Sequence, residues 1–158
     1  MAKTLVAYFS ASGVTRQVAL NLSKVLGADN YEIKPAVPYT NADLNWTDKN
    51  SRSSIEMDDK NSRPEMVEDD FSVEEYDTIF LGFPIWWYIA PTIINTFLEK
   101  HDFSNKKIIL FATSGGSGFG GTVENLRRSV DSSAQIVEGK LLNHNPSLED
   151  LKSWVETL

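Results

Sequence analysis

The sequence contains no cysteine. That absence excludes a cysteine nucleophile, a thiolate metal site, redox thiol chemistry and a disulfide scaffold. Histidine is nearly as scarce. His101 and His144 stand without a second ligand at metal-binding spacing and are expected at the surface. Asp29, Asp77 and Asp102 fall at the ends of elements rather than in the cluster that a metal or phosphoryl-transfer centre needs, so neither a metal site nor a catalytic set is read here. No apolar run approaches the roughly 20 residues that cross a membrane. Lys3 leads straight into a strand-like run, and a soluble, cytoplasmic protein is the expectation. Basic side chains number 15 against 22 acidic ones, for a net charge of −7. Such a balance argues against nucleic acid or an anionic membrane as partner, because their phosphates demand basic patches.

What the chain does have is unevenly spread. Between Glu56 and Asp77 lie ten acidic residues (Glu56, Asp58, Asp59, Glu65, Glu68, Asp69, Asp70, Glu74, Glu75, Asp77) against Lys60 and Arg63. This stretch is either a solvated face or a surface that steers basic protein partners. At 158 residues the chain is long enough for a sizeable core, and one domain over residues 1–158 is expected.

Strand-like runs occur at 4–9, 31–33, 78–82, 107–112 and 134–137. The first, third and fourth are almost continuously apolar, as befits parallel strands covered on both faces. Helical patterns fall between them. Residues 14–26 place Val18, Leu22, Val25 and Leu26 on one face and stop at Gly27. Residues 91–100 begin with a proline suited to a first helical turn, and 122–130 and 148–158 complete the set. Strand and helix alternate throughout, which predicts a parallel, doubly wound α/β sheet with helices on both faces. Residues 35–70 break the rhythm. They are polar, carry Pro35, Pro38 and Pro64, and hold either a short helix at 41–46 or 51–57 or a surface excursion near the site.

In such a sheet, ligands sit outside the carboxyl ends of the strands, which directs attention to three loops. The first is Ser10-Ala11-Ser12-Gly13-Val14-Thr15. A strand that turns tightly into a helix leaves the first helical N–H groups unpaired, and the helix dipole adds partial positive charge. Three hydroxyls surround that point, and Gly13 permits close backbone approach. No Lys or Arg lies between Ala7 and Val14, so neutral donors would hold the anion, which favours a single phosphomonoester over a triphosphate. The alternative is that Ser12 only caps the helix.

The second loop, running from Pro84 and Ile85 through Trp86, Trp87 and Tyr88 to Pro91, holds three consecutive aromatics that are costly to leave in water. They pack on neighbouring elements or form a stacking wall for a flat aromatic ligand. The third loop, from Thr113, Ser114, Gly115 and Gly116 to Gly121, offers bare backbone groups suited to the polar edge of a heteroaromatic ring. Its glycines at 116, 118 and 121 spell a dinucleotide-binding pattern, but residues 113–115 separate them from the strand and a phosphate turn already follows the first strand. Ser117 lacks the flank of a hydrolase elbow, because Phe119 stands where glycine is needed. A receiver-type phosphorelay domain would need acidic residues after the first strand, where Phe9 and Ser10 stand.

A phosphate turn, an aromatic wall and a glycine-rich edge together describe a ligand with a phosphomonoester at one end and a flat ring at the other, as in FMN. With these motifs in this order, the sequence resembles the flavodoxins over nearly its whole length. The resemblance implies a five-stranded parallel sheet of order 2-1-3-4-5, FMN as cofactor, and an electron carrier that docks a reductase or acceptor through its acidic surface. It implies that residues 10–15 hold the phosphate and that Trp86 stacks on the ring with Trp87 and Tyr88 along its edge. Thr113, Ser114, Gly115 and Gly116 would bond the pyrimidine end. Two places depart from the family pattern. Trp87 stands where many flavodoxins have Gly or Asn, and the third loop lacks the Tyr that often covers the ring, unless Phe119 takes that role. An uncovered ring would suit an FMN-dependent NAD(P)H or quinone-type reductase of the same fold.

Overall fold

In chain order the elements are β1 (Thr4–Tyr8), α1 (Val14–Leu26), β2 (Asp29–Glu32), α2 (Arg52–Asp58), β3 (Thr78–Pro84), α3 (Thr92–Lys100), β4 (Lys107–Thr113), α4 (Thr122–Arg127), β5 (Gln135–Leu141) and α5 (Leu148–Glu156). They are seen in a computed structural model that describes residues 3–10, 13–45, 47–59, 61–67, 70–85, 90–113, 118–143 and 146–158. The strands form one parallel sheet in the order β2-β1-β3-β4-β5. The three apolar runs thus occupy the middle, and the more polar β2 and β5 take the edges.

Because side chains alternate across a strand, each central strand feeds two cores. Val6, Tyr8, Phe80, Ile109 and Phe111 face α1 and α5, meeting Val18, Leu22, Leu151 and Trp154. Leu5, Ala7, Phe9, Leu81, Phe83 and Leu110 face the other way, toward Ile93, Ile94 and Phe97 of α3 and Leu126 of α4. Each fully buried aliphatic or Phe side chain here contributes about 1.5–3 kcal/mol. α1 spans the expected residues and ends at Gly27 in the left-handed conformation. In α5, Ser147 and Asp150 form a reciprocal capping box.

Several expectations need adjustment. β2 occupies Asp29–Glu32 instead of 31–33, and α5 ends at Glu156 instead of 158. β5 runs on to Leu141 instead of stopping at 137, because Gly139 lets the edge strand pass against the Leu110 carbonyl where the register slips between Ile109 and Phe111. Pro91 is the cap residue before α3 rather than its first helical residue, and α4 ends at Arg127, three residues short. His101 is not a surface histidine. Its ring meets Phe97, Phe71 and Phe103 edge-on at centroid distances of 5.2, 5.9 and 6.4 Å. His144 lies outside the described residues.

The polar stretch 35–70 holds α2, at the second of its two candidate helix positions, capped by Ser51. Residues 41–44 form turns instead. The neck of the excursion is closed by an antiparallel bridge between Pro35 and Met66, flanked by bonds from Ala36 N to Glu65 O and Val67 N to Lys34 O. Met57 and Met66 are buried, and the Arg63 guanidinium grips Glu99 of α3. It is therefore a packed excursion and not a loose loop.

Candidate functional site

The chain leaves β1 to build β2 on one side, then crosses to build β3 on the other. The winding direction reverses between β1 and β3, the place in such a sheet where a ligand crevice is expected, outside the carboxyl ends of the strands. Backbone bonds carry the sheet order past the strand ends. Phe9 N donates to Gly82 O at 2.9 Å, Ile85 N to Thr113 O at 2.9 Å and Leu142 N to Ala112 O at 2.7 Å. The hydrogen-bonded sheet thus continues beneath the start of each loop.

At the first loop, Gly13 takes φ 94°, a left-handed value that other residues adopt only under strain. Gly13, not Ser12, is the residue that precedes α1, and its N–H donates to the half-buried Ser10 Oγ at 3.0 Å. The amides of Val14, Thr15 and Arg16 open the helix, without an acceptor among the described residues. No acidic side chain stands in this turn. Thr15 is buried, and its hydroxyl lies 2.8 Å from the hydroxyl of Thr113 at the end of β4. First and third loops are thereby bonded directly, across the end of β3. These neutral donors around a helix start fit a phosphomonoester.

Of the other expected site residues, Pro84 is half-buried, Ile85 is buried in the core, and Val14 is exposed. Ala11, Ser12, Trp86, Trp87, Tyr88, Ser114, Gly115 and Gly116 lie outside the described residues. Phe119 does not swing over the crevice. It is buried, edge-on to Phe83 at 6.5 Å.

The excursion reaches both flanks of the crevice, which periodicity could not reveal. Tyr39 sets its ring edge-on to Phe9, directly before the first loop, at 5.6 Å. The Arg52 guanidinium lies 3.9 Å above the Tyr39 ring centre, and Glu56 accepts from both the Tyr39 hydroxyl and Arg52 Nε. Burial, then the bond to Glu56, pushes the Tyr39 phenol well above its usual range. On the other flank, Ser62 Oγ meets Thr92 Oγ1 at 2.7 Å, at the start of α3 and the end of the second loop.

The flavodoxin family model matches residues 3–158. No curated protein matches the sequence. Among solved structures, a candidate flavoprotein from Bacteroides uniformis is 47% identical, with 98% of each chain covered and a TM-score of 0.89. A second, from Bacteroides eggerthii, is 43% identical over 99% of this chain and 98% of its own, with a TM-score of 0.90. A Lactobacillus acidophilus flavoprotein solved in complex with FMN shares the fold at 21% identity, covering 98% and 99% of the two chains at a TM-score of 0.70. Sheet order, loop placement and a match that runs almost from end to end lead to one assignment: the chain belongs to the flavodoxin family.

Proposed function

We propose that this chain binds FMN and carries electrons between redox proteins. The observation that carries the reading is the first loop, where Gly13 in a left-handed conformation opens α1 and the Thr15 hydroxyl is bonded to Thr113 of the third loop. Ser10, Ser12, Thr15 and the opening amides of α1 hold the phosphate in this reading. Trp86 supplies the stacking surface, and residues 113–116 meet the polar edge of the ring. Bound FMN supplies reversible redox chemistry. The chain's part is to exclude water and set the electrostatics. An apolar, aromatic wall in a protein of net charge −7 disfavours added negative charge on the ring, which makes the carrier a strong reductant. Exposed Asp58, Asp59, Glu65, Asp70, Glu74 and Asp77 support an acidic face for basic reductase or acceptor proteins.

A second reading, an FMN-dependent NAD(P)H or quinone-type reductase, is favoured by Phe119, whose packing on Phe83 removes the one aromatic of the third loop that could cover the ring. Anaerobic photoreduction of FMN-loaded protein, followed by visible absorbance, separates the two. Long-wavelength absorbance at half reduction is the outcome expected of a one-electron carrier. Direct two-electron reduction, with oxidation of added NADPH, would establish the reductase. Failure to take up FMN would overturn both.

A further inference from the structure

By its place at the end of β4, Thr113 belongs to the loop that meets the ring system in the reading above, yet its side chain faces the other end of the site. Its hydroxyl lies 2.8 Å from that of Thr15, although 98 residues separate the two in sequence. Both residues are almost fully buried, at 5% and 2% exposure. Among the described residues neither hydroxyl has a second partner.

Two hydroxyls that share one hydrogen bond carry two protons. One lies between the oxygens, and the other remains available. If Thr15 donates to Thr113, Thr15 turns only lone pairs toward the start of α1. If Thr113 donates, Thr15 keeps a proton to offer there. The charge environment of the helix start decides between them. Its first turn has no acidic side chain, Gly13 N is turned onto Ser10, and the next amides have no acceptor among the described residues, so negative charge is favoured at that point. An anion cannot accept from lone pairs, so its arrival selects the second arrangement.

We propose that Thr113 is a positioning residue for a terminal phosphomonoester: it donates to Thr15 Oγ1 and thereby directs the Thr15 proton to the phosphate. The proposal rests on the FMN-binding reading and deepens it, by moving one residue of the ring loop to the phosphate end. A donor that also accepts a hydrogen bond is polarised and held in one rotamer, which strengthens what it donates. The backbone of Thr113 has a separate task, since its carbonyl accepts from Ile85 N. Altering the side chain therefore leaves the link between the second and third loops in place.

The experiment compares FMN with riboflavin, which has the same ring and no phosphate, by titrating flavin fluorescence against the flavin-free full chain. Thr113→Val keeps the branched shape and removes the hydroxyl. It is expected to weaken FMN about fivefold, the size of one neutral hydrogen bond, and to leave riboflavin within about twofold. Thr113→Ser, which retains the hydroxyl, restores FMN affinity. In a Thr15→Val background, which itself loses FMN affinity, Thr113→Val adds nothing, because Thr113 acts through Thr15. A far-UV melt checks folding, and Thr113→Ala, which lacks the hydroxyl and is smaller, carries the same expectation if the valine variant does not fold. Equal loss of FMN and riboflavin would place Thr113 at the ring and overturn the proposal. An undiminished effect in the Thr15→Val background would overturn it too. A parent protein that binds neither flavin overturns the FMN reading itself, a result distinct from either of these.

Discussion

The ring of Phe111 on β4 lies over Gly82, its register partner on β3, so closely that a Cβ at Gly82 would stand 2.2 Å from Phe111 Cζ. Gly82 also pairs with Tyr8 of β1, and its carbonyl accepts from Phe9 N at the mouth of the crevice. Gly82→Ala therefore drives a fully buried ring out of its place, and overpacking of this kind costs about 1–3 kcal/mol. Urea denaturation is expected to show the lowered midpoint. Phe111→Leu destabilises on its own, but the double variant should lose less than the sum of the two, because the shorter side chain makes room for the methyl. Strict additivity would mean that the glycine is not kept for the ring.

Gly13 illustrates the opposite case, a glycine held by its backbone rather than by its neighbours. A Cβ there would meet nothing within 4 Å, yet φ is 94°. The cost of Gly13→Ala is then purely conformational, about 1–2 kcal/mol. Gly13→Asn should cost less, since Asn tolerates left-handed backbone better. Both substitutions are expected to weaken FMN more than riboflavin, because they disturb the turn that presents the opening amides of α1. Flavin titration alongside thermal melts checks this, and a Gly13→Ala protein as stable and as tight for FMN as the parent would contradict it.

How far the sequence foretells this arrangement depends on the range of the interaction concerned. Runs such as Ile108-Ile109-Leu110-Phe111 announce buried parallel strands, and Gly27 marks the end of α1, because burial on both faces and left-handed caps are local demands. Strand order follows from family resemblance rather than from any residue pattern. The end of β5 is hidden, since nothing local shows that Gly139 lies against the Leu110 carbonyl and lets the strand continue. His101 looks isolated in the sequence and becomes part of an aromatic cluster only when Phe71 is folded against it. In the same way, the contacts that bring residues 35–70 to the crevice, Tyr39 on Phe9 and Ser62 on Thr92, each span 30 residues of chain. Thr15 and Thr113 fall in loops expected at opposite ends of the site, and no local pattern in the sequence shows that their hydroxyls are bonded.

Tyr39 makes alkaline stability a probe of the excursion. Its phenol is raised above the ordinary value of 10.0, first by burial and then by the bond to Glu56. Tyr76, buried and bonded to Asp29, is raised as well, and so is Tyr8. A raised folded-state value means that the unfolded chain ionises first. The stabilisation is complete below the unfolded value and is lost as pH climbs from about 10 toward the folded value. Tyr39→Phe keeps the ring on Phe9 and loses one hydrogen bond, at a cost of about 1 kcal/mol near neutral pH. The variant lacks one alkaline penalty, so its deficit should shrink when urea midpoints are compared at about pH 8 and about pH 11. A deficit that stays constant over this interval would show that the Tyr39 hydroxyl titrates alike in both states.

Glu99 provides the acid counterpart. Arg63 of the excursion bonds both of its carboxylate oxygens at 3.0 Å, and Ser129 Oγ donates to one of them at 2.7 Å. The Arg63 hydrogen bond, with smaller help from Ser129, lowers the carboxyl below its ordinary value of 4.5, against the opposing effect of burial. A lowered folded-state value gives stability that is present above the unfolded value and disappears as pH falls through the folded one. Asp102 and Asp131, held by Ser104 and Ser133, share that direction, so the acid limb of the parent protein alone cannot isolate Glu99. The difference between the parent and Glu99→Gln can. The amide resembles the protonated acid, so the gap in melting temperature should be present at about pH 7 and close below about pH 4. Arg63→Gln, which removes the other half of the clamp, should show the same convergence. If the gap survives into strong acid, Glu99 contributes through packing and not through its charge, and the excursion is held to α3 by the Ser62–Thr92 bond instead.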